Sequence, residues 1–271
     1  MPFFSQRSEL PQAHAVALFT VFVWGTTFVA TKFLLRDFSP ITILFLRFVM
    51  GTIALAFVPG RLKFVSWKTE ALLAAAGLTG VTLYFLLENI ALKYTFASNV
   101  GILVTVSPFI TALLSRVFLK EEKELGVRFF VGFVVALAGV AMISLNGSML
   151  RLNPRGDVLA LLAAATWSVY SILMKKVGAT GLPVVLCTRR TFLYGLIFML
   201  PVLSPLGFSV SANALMKPEN AATLVFLGIG AGAICFATWN YAVKILGAVR
   251  TNIYIYLIPV VTAVTSIFVL G

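Results

Sequence analysis

The chain has 271 residues, 60% hydrophobic and only 11% charged, with mean hydropathy +1.02 and a formal net charge of +12. So few charges cannot cover a water-facing surface, for which roughly 25% is ordinary, so the bilayer must be the solvent for most of the chain. The positive charge does not point to nucleic acid, because Lys and Arg sit in short clusters between apolar runs, as the positive-inside rule expects.

Lipid satisfies no backbone N–H or C=O, so only helices or a closed barrel can cross it. Apolar runs of about 20 residues without strict alternation select helices. Nine spans are predicted in chain order: Ala13–Phe33, Ile41–Val58, Ala71–Leu92, Ala97–Leu119, Val127–Leu145, Val158–Val177, Pro183–Leu203, Ala222–Val243 and Ala248–Leu270. The first run leads straight into others, so no cleavable signal peptide is expected. Connections are short, so successive helices form antiparallel hairpins. The longest, Ser204–Ala221, is too small for a soluble domain, which excludes an extramembranous enzyme. With the N-terminus inside, twelve Lys and Arg fall on the inner side and six on the outer. A multi-pass protein of the cell's inner (plasma) membrane with a cytoplasmic N-terminus is therefore expected.

The sequence repeats itself. At an offset of 143, Trp24 matches Trp167, Lys32 matches Lys175, Pro40 matches Pro183 and Arg47 matches Arg190. At an offset of 151, Phe85 matches Phe236, Asn89 matches Asn240, Lys93 matches Lys244 and Pro108 matches Pro259. The change of offset fits the longer loop around Ser204–Ala221. Two units follow, residues 1–146 and 147–271. Five spans is an odd number, so the second unit enters the membrane from the opposite side, an inverted-topology repeat suited to alternating access. The fold expected is thus an all-α, polytopic transmembrane bundle of two five-helix repeats. Leu119 matches Leu270, and the first unit then continues through Glu121 and Glu122 into its fifth span. The counterpart tenth helix is expected to be missing, leaving nine spans.

The runs FVWGTTFVATKFLL, SPITILFLRFVMG and ENIALKYTFASNVGILVTVSPFITALLSRVFLKEE resemble the EamA type of the drug/metabolite transporter superfamily. The second half repeats the pattern weakly as ATWSVYSILMKK, LPVVLCTRRTFLYG and NYAVKILGAVRTNIYIYLIPVVTAVTSIFVLG. The resemblance implies a ten-helix transporter, in most such proteins an exporter of amino acids, related metabolites or drugs. It also implies a central cavity built from the first, third, fourth, sixth, eighth and ninth spans. In that family the fourth and ninth helices run into a Gly/Glu segment; Glu121 fits, and its partner would lie beyond the end of the chain.

Glu88, deep in the third span, is the sharpest candidate. An ionised carboxylate at bilayer depth costs ~2.5–3.5 kcal/mol by insertion scales, so it should face the bundle interior or water. It could accept one proton per cycle or pair with a cationic substrate; a structural anchor between helices is the alternative. Its repeat equivalent is Trp239. Asn89 and Asn240 lie at similar depth and offer donors and acceptors to a polar solute, or to neighbouring helices. Trp24 and Trp167 are too deep for an interfacial belt and suit a cavity wall that stacks on substrate. Thr27 and Tyr170 follow them by three residues on the same helical face. Tyr256 adds a polar group to the ninth span. These eight residues form the expected substrate site. Pro108 and Pro259 each remove a helix hydrogen bond and are the expected hinges, with static kinks as the alternative.

Other residues read as structural. Arg47 and Arg190 are expected to snorkel, cap carbonyls or gate. Lys32 and Lys175 look like interface anchors. Gly228, Gly230 and Gly232, and also Gly132 and Gly139, suggest close helix packing. One histidine, His14, and two cysteines, Cys187 and Cys235, leave too few ligands for a His/Cys metal site, and no cofactor is expected.

The reading is a secondary transporter that exports small metabolites such as amino acids. Its partners are the substrate and the lipid bilayer, with proton coupling and a homodimer as further candidates. The alternatives are a nucleotide-sugar or other organic-solute transporter, which would need cationic residues facing the cavity, and a membrane-embedded lipid-handling protein.

Overall fold

The computed structural model describes residues 3–119, 131–135, 138–139 and 153–269. All regular structure among them is helical. In chain order the helices are α1 (Phe3–Leu34), α2 (Pro40–Ala56), α3 (Trp67–Tyr94), α4 (Ala97–Phe118), α5 (Pro154–Gly178), α6 (Val184–Leu203), a short α7 (Ala212–Met216), α8 (Pro218–Leu246) and α9 (Ala248–Phe268). Seven are long and apolar enough to cross a membrane; α2 has the composition but only 17 residues. Most of these helices match the expected spans to within about four residues at each end; α1 begins at Phe3, ten residues before its expected start at Ala13. The fifth expected span, Val127–Leu145, lies mostly outside the described residues.

Side-chain caps start three of the long helices where the chain turns. Ser39 caps α2, accepting the Thr42 N–H at 3.3 Å, and Pro40 follows in the first turn, where its missing N–H costs nothing. Ser66 caps α3 in the same way through the Thr69 N–H at 3.1 Å. Asn153 caps α5 ahead of Pro154, with Asp157 in the first turn against the helix dipole. Gly247, at φ 93°, makes the sharp turn from α8 into α9.

The helices pack as one continuous bundle. α1 lies against α8 and α9, α2 against α6 and α8, α3 against α5 and α6, and α4 against α5 and α9. Two stretches widen into π-helix, Gly77–Leu83 within α3 and Phe226–Ile234 within α8. Their ends, Leu83 and Ile234, stand 151 residues apart, the spacing that relates the second set of sequence repeats. Each brings a glycine against a partner backbone. A Cβ on Gly77 would lie 2.6 Å from the Thr191 carbonyl oxygen of α6, and one on Gly228 would lie 3.0 Å from the Arg47 carbonyl oxygen of α2. Gly230 and Gly232 have no such neighbour on another helix, so only Gly228 of that run serves close packing between helices. Among the described residues nothing lies within 4 Å of a Cβ on Gly132 or Gly139, so the packing role expected for them is not seen.

Lys32 and Lys175 correct the reading as interface anchors. Lys32 is partly buried and its ammonium donates to the Leu92 and Thr95 carbonyls at the C-terminal end of α3. Lys175 donates to the Lys244 carbonyl of α8 at 3.3 Å. Each lysine thus meets the exposed carbonyls and negative dipole of a helix end.

Candidate functional site

Aromatic side chains fill the centre of the bundle. Trp24 of α1 and Trp167 of α5 meet edge to face with ring centroids 5.2 Å apart, and Trp239 of α8 stands 5.0 Å from Trp24. Tyr84, Phe85 and Phe236 extend the cluster. Both expected wall tryptophans spend their N–H inside the protein. The Trp24 indole donates to the Ala231 carbonyl at 2.9 Å, and that of Trp167 to Asn252 Oδ1 at 3.2 Å. Their orientation is fixed from α8 and α9, which leaves ring faces and edges to line a space.

That space is a narrow cavity lined by Trp24, Thr27, Phe28, Tyr84, Phe85, Glu88, Val104, Trp167, Ile255 and Ile258. Its volume of about 20 Å³ holds about one water molecule. Four of the eight expected site residues therefore converge: Trp24, Thr27, Glu88 and Trp167. Thr27 donates its hydroxyl to the Trp24 carbonyl at 2.7 Å and keeps its lone pairs free. Glu88 is 1% exposed, and its Oε1 has no hydrogen-bond partner.

The other four lie outside the lining. Tyr170 donates to Asn240 Oδ1 at 2.8 Å, and Asn240 donates to Thr188 Oγ1 at 2.9 Å, a chain tying α5, α8 and α6. Asn89 donates to the Pro40 carbonyl at 3.1 Å, which holds the start of α2 on α3. Tyr256 is half-buried and its hydroxyl has no partner. Tyr84, Phe85 and Phe28 were not singled out from the sequence. Tyr84 and Phe85 precede Glu88 by four and three residues, so helical spacing alone places them on its face.

Pro108 and Pro259 sit just after breaks in their helices. Thr105 and Val106 form a turn in α4, and Tyr254–Leu257 is a 3-10 segment in α9. A proline cannot donate to the carbonyl four residues earlier. Those earlier residues are Val104 and Ile255, and both line the cavity. The breaks therefore fall at the depth of the cavity, in both halves of the chain.

Arg47 lies behind the lining. It is 1% exposed, its guanidinium stands 4.1 Å from the Phe85 ring centre and 5.7 Å from that of Phe48, and its Nε and Nη2 have no hydrogen-bond partner. Its repeat counterpart Arg190 is satisfied. It pairs with Glu70 at 3.0 Å and donates to the Leu62 carbonyl, while Tyr194 donates to Glu70 at 2.6 Å. This network ties α3 to α6 at one end of the bundle. At the other end Lys217 pairs with Asp37 at 2.8 Å, and Asn220 donates to the same carboxylate at 2.9 Å.

Asp37 is held below the usual aspartate range, first by the hydrogen bond from Asn220 and then by that from Lys217. A depressed folded-state pKa gives stability above the unfolded value, about 4, that is lost as pH falls through the lower folded value. Acidification below about pH 4 should therefore lower the melting midpoint of the purified protein by a component that Asp37→Asn lacks. An equal acid response in both proteins would remove Asp37 as its source.

The sequence profile of the EamA-like transporter family matches residues 12–145 and 154–271. The chain is 28% identical over 272 residues to an uncharacterized transporter of Archaeoglobus fulgidus, covering 96% of this chain and 90% of that one. It is 29% identical over 269 residues to a probable terminal-alkyne amino-acid exporter of Streptantibioticus cattleyicolor, covering 97% and 87%. A solved crystal structure shares the fold at a TM-score of 0.72 and 21% identity, over 95% of this chain and 88% of that one.

Proposed function

The chain belongs to the EamA-like transporter family, and from that premise we propose that it exports a small amphipathic metabolite by alternating access, with amino acids the first class to test. The observation that carries this reading is the central cavity. One carboxylate, the hydroxyls of Thr27 and Tyr84 and several aromatic faces converge there from both halves of the chain. A substrate with an apolar side chain and a cationic group would meet the rings and Glu88 respectively. With room for about one water, the cavity is contracted, and ionic ties stand at both ends of the bundle. Transport then requires one end to open while the other stays tied.

The doubled elements support an inverted repeat with units at residues 1–146 and 147–271: paired π-helical stretches, paired breaks before Pro108 and Pro259, and paired lysine caps. In this reading Pro108 and Pro259 mark the hinges, the N-terminus is cytoplasmic, and the protein sits in the inner membrane. Glu88 is the group through which a proton could be exchanged for substrate. A nucleotide-sugar substrate is disfavoured, because among the described residues no Lys or Arg lines the cavity to meet its phosphates.

Efflux tests the proposal. Cells loaded with radiolabelled amino acids should lose label faster when they express the chain than when they carry an empty vector. Equal loss across the whole set of amino acids would sink the amino-acid assignment.

A further inference from the structure

We infer that a cleft beside the α2–α3 connection binds one anionic phospholipid, its phosphate held between Arg61 and Arg189 and an acyl chain laid along Ala56 and Leu193. The cleft measures about 500 Å³ and is continuous with a second of about 190 Å³ through the shared Arg61, Arg189 and Leu193. Its wall is apolar and its mouth cationic. No acidic residue lines either part. Glu70, the partner of the Arg190 that lines the second part, is already engaged by Arg190 and Tyr194.

The two arginines differ in what they do for the protein. Arg189 donates to the Gly60 carbonyl at 2.7 Å and to those of Val58 and Leu55 at 3.3 and 3.4 Å, capping the end of α2 and holding its own guanidinium at the mouth. Arg61 is exposed and has neither a hydrogen bond nor an ion pair with any described residue. A phosphate would give it both, and guanidinium groups suit phosphate oxygens geometrically.

The surroundings identify the phosphate as part of a lipid. Phe57 and Trp67 are more than four-fifths exposed, and Phe64 packs edge to face on Trp67 at 5.2 Å. Exposed aromatic rings beside Lys63 and Lys68 are the composition of a headgroup-level anchor. Ile53 and Ile197, both exposed, stand about one turn from Ala56 and Leu193 and continue the apolar wall away from the cations. A phosphate with attached acyl chains satisfies both the mouth and the wall; a free phosphate satisfies only the mouth. The inference does not depend on the transport reading.

The test uses the purified full chain, delipidated in detergent, with phosphatidylglycerol, phosphatidylcholine and inorganic phosphate added separately. Phosphatidylglycerol should raise the melting midpoint, phosphatidylcholine should raise it less, and phosphate alone should leave it unchanged. Arg61→Gln breaks no internal contact, and it should weaken the apparent affinity for phosphatidylglycerol about fivefold, the loss expected for one interfacial cation. Lys217→Gln, at the far end, should leave that affinity unchanged. Equal stabilisation by the two lipids, an unaltered affinity in Arg61→Gln, or the full effect from inorganic phosphate would each overturn the inference.

Discussion

Glu88→Gln is expected to cut transport by more than about tenfold at equal membrane abundance, a loss of at least about 1.4 kcal/mol of substrate interaction. Glu88 is the one acidic side chain among the cavity-lining residues, and one of its oxygens is buried without a partner. Arg47, whose charge acts on it, lies behind Phe85 with two unpartnered nitrogens. Removing the carboxylate leaves the buried guanidinium with less opposite charge to offset its burial, which destabilises the fold. The single variant should therefore also be less abundant. The double variant Arg47→Gln/Glu88→Gln separates the two effects. It should recover abundance, because no charge is left stranded, yet remain inactive. Transport restored in the double variant would reduce Glu88 to a structural counter-ion. Wild-type transport in Glu88→Gln at matched abundance would remove it from the site.

Gly77→Val and Gly228→Val should each lower stability by ~1–3 kcal/mol, the usual cost of overpacking, and with it the monodisperse fraction recovered in detergent. A Cβ on Gly77 meets backbone, the Thr191 oxygen at 2.6 Å and the Gly195 nitrogen at 2.8 Å, and backbone cannot swing aside. At Gly228 it meets Met50 Cβ at 2.7 Å and the Arg47 oxygen at 3.0 Å. Gly230 is the control. Its nearest neighbour is the Phe226 ring at 3.5 Å, ordinary contact, so Gly230→Val should fold. Size-exclusion profiles of the three variants in detergent decide the matter. Similar profiles for all three would mean that helix propensity, rather than close approach, governs these glycines.

The helical bundle was legible because lipid leaves so few structural options: apolar runs, caps and prolines place most helix ends to within about four residues, the polar start of α1 at Phe3 excepted. The lining of the central cavity was half legible. Repetition and spacing give depth and helical face, and these suffice for Trp24, Thr27, Glu88 and Trp167. They do not say which neighbouring helix a side chain meets. Tyr170 shares its face with Trp167, yet its hydroxyl turns to Asn240 on α8. Asn89 and Glu88 are adjacent, but the amide is taken by the Pro40 carbonyl of α2. The end-capping of Lys32 and the Glu70–Arg190 tie were missed for the same reason, since each joins elements far apart in the chain. The glycine run in α8 was visible, but its π-helical geometry was not, because a widened turn depends on the packing around it.

Alternating access is tested most directly at Thr27, which lines the cavity from α1. Thr27→Cys would be placed in a background with Cys187 and Cys235, both buried, replaced by alanine. It would then be exposed to a membrane-impermeant thiol reagent in right-side-out and in inside-out vesicles. The expected result is labelling from both faces, slowed in each case by a transported amino acid. Labelling from one face only, or from neither, would contradict a site that opens alternately to the two sides of the membrane.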